Sequence, residues 1–169
     1  GLDWDVLEDD PTQLAGHIGD DAAVVYSIPT LYRDYVAAGS GGQARHVAPV
    51  ERVLDTVIEA GAGRFIYLSS TSVYGDHDGA WVDEETPTAP TSPYGKMRRD
   101  IEEYVLGRGG DIDVNVARLV GIYGPGRTML KYIDSGRYKL VDGGKKPSNR
   151  IHVDDIVQSV LAMVERAPQ

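Results

Sequence analysis

Cysteine is absent from this 169-residue chain, which excludes disulfides, thiolate metal sites and a cysteine nucleophile. Positive charge is scarce as well, with 17 Lys and Arg against 26 Asp and Glu and a net charge of -9. Such an acidic balance repels phosphate backbones and anionic lipid, so no nucleic acid and no membrane is an expected partner. No apolar run reaches the ~18 residues of a membrane span, and no basic-then-apolar leader opens the chain, which makes cytoplasm the expected compartment. An initiator methionine is missing too. Gly1 to Asp10 reads as the end of a strand entering an acidic turn, and something is expected to precede it. His77, between Asp76 and Asp78, is a single histidine in an acidic loop; it is expected to be solvated, and no metal is expected.

What is present is an alternation of strand and helix patterns with room for one packed core, since 41% of the residues are apolar. Ala22 to Ile28 is a short apolar run ended by Pro29, which suits a parallel strand buried on both faces. His46 to Ala62 has apolar residues at helical spacing, closed by Gly61 and Gly63. Phe65 to Ser69 is the next strand. Ser92 caps a helix with Pro93 at its first position, whose buried stripe is Met97, Ile101, Tyr104 and Val105, and Gly107 ends it. Val114 to Val120 alternates into a third strand, and Ile151 to Val164 reads as a last helix. Gly75 to Pro93 is a proline-rich, acidic surface loop expected to border a site, and Gly121 to Lys146 reads as irregular. This order implies a right-handed parallel α/β sheet.

Two features carry chemistry. Tyr94 and Arg98 are four apart on the predicted helix and therefore share a face, whereas Lys96 lies about 200° around the axis from Tyr94. Ser69, Ser70, Thr71 and Ser72 close the Phe65 strand with a cluster of hydroxyls. A phenol acidified by a cation, set beside a serine, suits proton transfer to an alcohol or carbonyl while a nicotinamide exchanges the hydride. The bland alternatives stay open: a tyrosine and an arginine on a helix surface, and a strand end whose hydroxyls satisfy its own backbone. Gly39-Ser-Gly41-Gly-Gln-Ala44 fits Gly-x-Gly-x-x-Ala, yet Leu31 to Ala38 makes a poor buried strand and Pro49 follows too closely for a tight strand-loop-helix unit. A flexible loop is the expectation there.

With its Val73-Tyr-Gly-Asp76, Ile122-Tyr-Gly-Pro-Gly126 and Arg150-Ile-His-Val-Asp-Asp155 segments, the sequence resembles the extended, atypical short-chain dehydrogenases/reductases of the NAD-dependent epimerase/dehydratase kind. The resemblance implies a Rossmann-type doubly wound parallel sheet. Residues 1–169 would be a single partial NAD(P)-binding domain lacking the first strands and the glycine-rich loop. It implies that Tyr94 is the acid/base and Ser70 the oxyanion or hydroxyl partner. Arg98 stands where the family has lysine; as a fixed positive charge it can still lower the tyrosine's pKa. Asp10, Ile28, Pro29 and Ile122 match cofactor-contacting positions, and Thr71, Ser72 and Gly121 are substrate-side candidates. Gly121 replaces a frequent asparagine and Ser148 a phosphate-binding arginine, and both departures weaken a nucleotide-sugar assignment. His152, between two apolar residues, is expected to be packed and hydrogen-bonded.

The function so implied is an NAD- or NADP-dependent oxidoreductase or epimerase/dehydratase acting on an alcohol or carbonyl small molecule, a nucleotide sugar among the options. The residue that selects between NAD and NADP would lie before Gly1. The alternatives are a non-catalytic dinucleotide-binding or sensor protein and an inactive fragment. Weak or absent cofactor binding by this chain alone is expected, as is a homo-oligomer, a dimer formed through helices Val47 to Ala62 and Ser92 to Leu106. The strand at Ala22 to Ile28 would be an exposed edge, and the segment before Pro11 loosely held or repositioned.

Overall fold

The computed structural model describes residues 2–6, 8–29, 43–136, 141–144 and 148–166. Three strands, β1 (Ala23–Tyr26), β2 (Arg64–Ser70) and β3 (Asp113–Leu119), pair in parallel in the order β1-β2-β3. Ala23 lies opposite Arg64 and Tyr26 opposite Tyr67, while β2 pairs with β3 from Arg64↔Asp113 to Ser70↔Leu119. Parallel neighbours need long crossovers. The short helix α1 (Thr12–Ala15) precedes β1; α2 (Gln43–Glu59) leads into β2, and α3 (Pro93–Gly107) joins β2 to β3. Beyond β3, β4 (Gly121–Tyr123) and β5 (Arg150–His152) form a separate parallel pair, with α4 (Met129–Asp134) between them and α5 (Val153–Arg166) after them.

The core follows from strand and helix periodicity. Phe65 and Tyr67 alternate along β2 and join Val50, Val53, Leu54 and Val57 of α2 and Ile101 and Val105 of α3 in one buried cluster. Ile66, on the opposite face of β2, is also fully buried, so β2 is covered on both sides. On β1 only Tyr26 is buried. Ala23 and Val25 share the other face of β1 and are exposed, so the expectation of burial on both faces fails there. Among the described residues β2 is the one strand partner of β1.

Several boundaries differ from the sequence expectations. The helix of α2 begins at Gln43 and runs through Pro49, which the sequence reading had set against a helix so close to Gly39–Ala44. Proline costs that helix one i→i−4 hydrogen bond without ending it, because the apolar stripe beyond it is strongly held by the core. Residues 39–42 of the glycine-rich match, and the Leu31 to Ala38 segment, lie outside the described residues. Ile151 and His152 are strand, pairing with Ile122 and Tyr123, and α5 starts only at Val153. Gly121 to Lys146 is less irregular than its composition suggests, since it holds β4, α4 and a 3-10 turn at Val141–Gly144.

The N-terminal segment is not a strand among its described residues, nor is it loose. Arg52 of α2 donates to the Val6 and Asp9 carbonyls at 2.9 and 2.6 Å, and the Trp4 indole donates to the Asp10 carbonyl at 3.1 Å. Trp4 and Val6 pack against the main cluster. The guanidinium thus satisfies two carbonyls of a segment that lies outside any strand ladder. Ile101→Ala, which empties a fully buried site on α3 facing β2, is expected to lower stability by about 2–5 kcal/mol in urea denaturation followed by tyrosine and tryptophan fluorescence.

Candidate functional site

Parallel pairing puts the carboxyl ends of β1, β2 and β3 at one edge of the sheet. In open α/β sheets that edge is where ligands bind. Ile28 and Pro29 follow the end of β1 and are exposed. Ser70 ends β2, and its Oγ accepts from the Ser72 backbone N–H at 3.2 Å, which caps a 3-10 turn at Thr71–Val73. Part of the hydroxyl cluster thus serves its own backbone, as the bland alternative held. Thr71 and Ser72 are half-buried on that turn, and Ser69 is buried.

The helix that carries Tyr94 is seated directly on this turn. Ser92 caps α3, its Oγ accepting from the Gly95 N–H at 3.0 Å, with Pro93 next, as the sequence predicts. Gly95 makes the approach possible. A Cβ at that position would lie 2.5 Å from the Ser72 carbonyl oxygen and 2.7 Å from Pro90 Cβ. No other residue type fits without moving backbone, so the glycine sets the distance between the start of α3 and the Ser70–Ser72 turn. Tyr94, just before it, is exposed, and Arg98 one turn later is half-buried without a hydrogen bond or ion pair to any described residue. The Gly75 to Pro93 loop returns over the same region, with the Ala89 N–H donating to the Val73 carbonyl at 3.1 Å.

Gly121 lies two residues past Leu119, the partner of Ser70, and Ile122 follows it half-buried in β4. These join the edge. The contacts of Asp10 lie elsewhere: its Oδ1 accepts from the Thr12 N–H at 2.9 Å at the start of α1. Hydrogen bonds from the Thr12 backbone and side chain, aided by the charge of Arg52, hold its carboxyl below the usual range despite some desolvation. It is anionic at neutral pH. His152 packs edge-on against Tyr123 at 5.1 Å, and its Nδ1 accepts from the Asp154 N–H at 3.2 Å, as expected of a packed histidine. His77 Nε2 lies 3.0 Å from the Tyr74 carbonyl, and no group of three metal-ligating side chains occurs among the described residues.

Sequence reasoning missed a buried ionic group behind the site. Glu102, 2% exposed, lies on α3 one turn past Arg98 and accepts from Arg118 Nε at 3.0 Å, with Arg118 Nη2 at 2.9 Å from the same oxygen. Arg118 on β3 also donates to the Tyr74 hydroxyl at 2.9 Å and more weakly to the Glu84 carbonyl at 3.4 Å. Desolvation works against the Arg118 charge, but the Tyr74 and Glu102 contacts outweigh it and raise its pKa. The available signal was a glutamate beside Ile101 in a buried helical stripe and an arginine inside an apolar strand, two charges that only each other can satisfy. A second buried pair, His46 Nε2 to Asp100 Oδ2 at 3.2 Å, joins α2 to α3.

Comparison with known proteins decides the lineage, because a family model described as NAD dependent epimerase/dehydratase matches residues 17–169. The chain belongs to that family. Protein YeeZ of Escherichia coli strain K12 is 27% identical over 166 residues, which are 98% of this chain and 58% of that protein. A dTDP-glucose 4,6-dehydratase of Streptomyces niveus is 29% identical, covering 94% of this chain and 48% of the enzyme. Among solved structures, the dTDP-glucose 4,6-dehydratase DesIV of Streptomyces venezuelae, with NAD and DAU bound, superposes with a TM-score of 0.75 at 22% identity. That match covers 94% of this chain and 52% of DesIV, and at such identity it establishes the fold. The chain therefore spans about half the length of these relatives.

Gly95→Ala is expected to push α3 off the Ser72 turn. The expected signs are a loss of about 1–3 kcal/mol in chemical denaturation and amide shift changes at Ser72 and Tyr94 in heteronuclear NMR, larger than those of Lys96→Ala on the exposed face.

Proposed function

We propose that the chain is part of an NAD(P)-dependent oxidoreductase or epimerase/dehydratase acting on an alcohol or carbonyl of a small molecule, with residues 1–169 contributing a Rossmann-type nucleotide-binding domain. The observation that supports this reading is the Gly95 seat, which sets the start of α3, where the exposed Tyr94 stands, against the Ser72 carbonyl just past the end of β2. Tyr94 donates or accepts the proton, Ser70 hydrogen-bonds the substrate oxygen, and Arg98 supplies the positive charge that favours tyrosinate. Thr71, Ser72 and Gly121 line the substrate side.

The residues present fit one part of a dinucleotide. Ile28 and Pro29 leave open backbone at the end of β1, and Ile122 is at the same edge, where a nicotinamide would meet Tyr94. A nicotinamide, when bound, takes up or returns a hydride. Asp10 would meet the adenine end. A glycine-rich turn running into a helix N-terminus, the usual seat of the pyrophosphate, does not occur among the described residues. Because Leu31 to Ala38 makes a poor buried strand ahead of the Gly39–Ala44 match, titration calorimetry on the 169-residue chain is expected to give dissociation constants weaker than micromolar for both NAD and NADP.

The dTDP-glucose dehydratases among the relatives favour a nucleotide sugar, and Gly121 and Ser148 weigh against it. A non-catalytic dinucleotide-binding protein is the second reading, favoured by arginine at the lysine position. In a chain extended to the length of its relatives, Tyr94→Phe is expected to abolish turnover while leaving cofactor affinity within about two-fold, since only the proton-transferring group is removed. Turnover unchanged in that variant would refute the catalytic assignment. We further propose a homodimer in which α2 and α3 of each subunit form a four-helix bundle. Light scattering is expected to give about twice the 18.3 kDa chain mass, and a stable monomer would overturn this.

A further inference from the structure

Trp81 is 99% exposed, in a molecule whose other tryptophan, Trp4, packs against the core. Covering an indole removes about 150–250 Å² from water, and the fold of one chain takes none of that gain here. The segment that carries it is closed on both sides. Before it, Asp78 and Gly79 have φ of 53° and 83°, and the Ala80 N–H donates to the His77 carbonyl at 2.9 Å, a tight turn that Asp-Gly pairs favour. After it, the Asp83 N–H donates to Thr86 Oγ1 at 3.0 Å and the Thr86 N–H donates to Asp83 Oδ1 at 2.9 Å. Both turns are anchored, His77 Nε2 at 3.0 Å from the Tyr74 carbonyl and the Glu84 carbonyl at 3.4 Å from Arg118 Nη1. Trp81 is thus a knob on a tethered loop.

The charge around the knob narrows what can cover it. Residues 76–85 hold five carboxylates, Asp76, Asp78, Asp83, Glu84 and Glu85, and no lysine or arginine. The complement is an apolar surface flanked by cations. The molecule itself carries one. Leu130 and Ile133, 67% and 51% exposed, stand three apart on α4 and share a face, and Arg127 and Lys131 near them are exposed as well. A second exposed apolar stripe, Val153, Val157, Leu161 and Val164 on α5, begins beside Asp154 and Asp155, which would repel the loop. Trp81 is not covered by the α4 of its own chain.

We propose that two copies of this chain associate reciprocally, the Trp81 knob of each seated on Leu130 and Ile133 of the other, with Arg127 and Lys131 facing the carboxylates of the loop. A cation against the indole face adds to the apolar contact. The arrangement is two-fold, so it closes at two copies. It uses no residue of α2 or α3 and is separate from the four-helix bundle; with both contacts present the assembly exceeds a dimer. A net charge of -9 opposes association, and only local complementarity offsets it, so salt weakens the contact.

The test is heteronuclear NMR of the 169-residue chain over a wide dilution series. Its two tryptophans give two indole N–H signals, and Trp81→Ala assigns them. As concentration rises, the Trp81 indole and the Leu130 and Ile133 amides should shift together while the Trp4 indole stays in place, and added salt should reverse the shifts. Trp81→Ala should abolish those at Leu130 and Ile133. A charge exchange gives the sharper result. The loop variant Glu84→Lys with Glu85→Lys, and the helix variant Arg127→Glu with Lys131→Glu, should each lose the shifts when alone. Their equimolar mixture should regain them, because each then offers the other's complement. All four positions are exposed, and an unchanged Trp4 indole reports an intact fold. Shifts at Trp81 without shifts on α4, or a mixture no better than its components, overturns the proposal. So does a Trp81 signal that ignores concentration but moves on adding oligolysine, which would assign the knob to a different, basic partner. Light scattering reads the bundle separately: its absence leaves the Trp81 shifts in place.

Discussion

Parallel register is the constraint on which the rest depends. Once β1, β2 and β3 run the same way, each must be followed by a crossover, and each crossover begins at the same edge. That edge gathers strand ends whose next residues are free of the ladder: Ile28 and Pro29, the Ser70–Ser72 turn, and the Val120–Gly121 step into β4. One helix start is brought close as well: by omitting a side chain, Gly95 lets α3 meet the Ser72 carbonyl, a contact between backbones, which flexes less than one between long side chains.

Behind this edge lies an ionic core that a purely apolar helix-strand contact would not need. Glu102 is 2% exposed and the partly buried Arg118 reaches it from β3; that carboxylate left alone would cost several kcal/mol. Together with the Tyr74 hydroxyl they tie three segments, α3, β3 and the Val73–Gly75 turn, at defined distances. An apolar replacement would pack as well but would not specify the rotation of α3 about its axis. Tyr94, Arg98 and Glu102 follow one another at single-turn intervals on that helix, so a fixed Glu102 also fixes the direction of the other two.

Much of this was legible in the sequence, and the failures have physical causes. The core strand at Phe65, the cap at Ser92 and the stop at Gly107 were readable because capping chemistry and apolar period act locally. The helix read from His46 to Ala62 already runs through Pro49, whose local penalty is smaller than the burial of Val50, Val53, Leu54 and Val57 that follows it; its start at Gln43 was the less legible part. Ile151 and His152 read as part of the last helix from sequence because three residues are too few to display a strand period, and their partner β4 lies about 30 residues earlier. Tyr94, Ser70, Thr71, Ser72, Gly121 and Ile122 fall at one edge, a result that spacing alone could not give. The pairing of Glu102 with Arg118 was invisible for the same reason, since side-chain partners 16 residues apart depend on tertiary packing.

Arg64, at the first position of β2, donates to the Met163 and Val164 carbonyls at 2.6 and 2.9 Å and lies 3.3 Å from Asp113. A cation there meets the negative end of the α5 dipole and two carbonyls left over by the helix's last turn. The contact spans 99 and 100 residues of sequence, so it closes a long loop at a large entropic cost. One guanidinium thus clamps the far end of the last helix to the first residue of the central strand, so that the last described element of the chain and the middle of its sheet are held to each other by a single side chain.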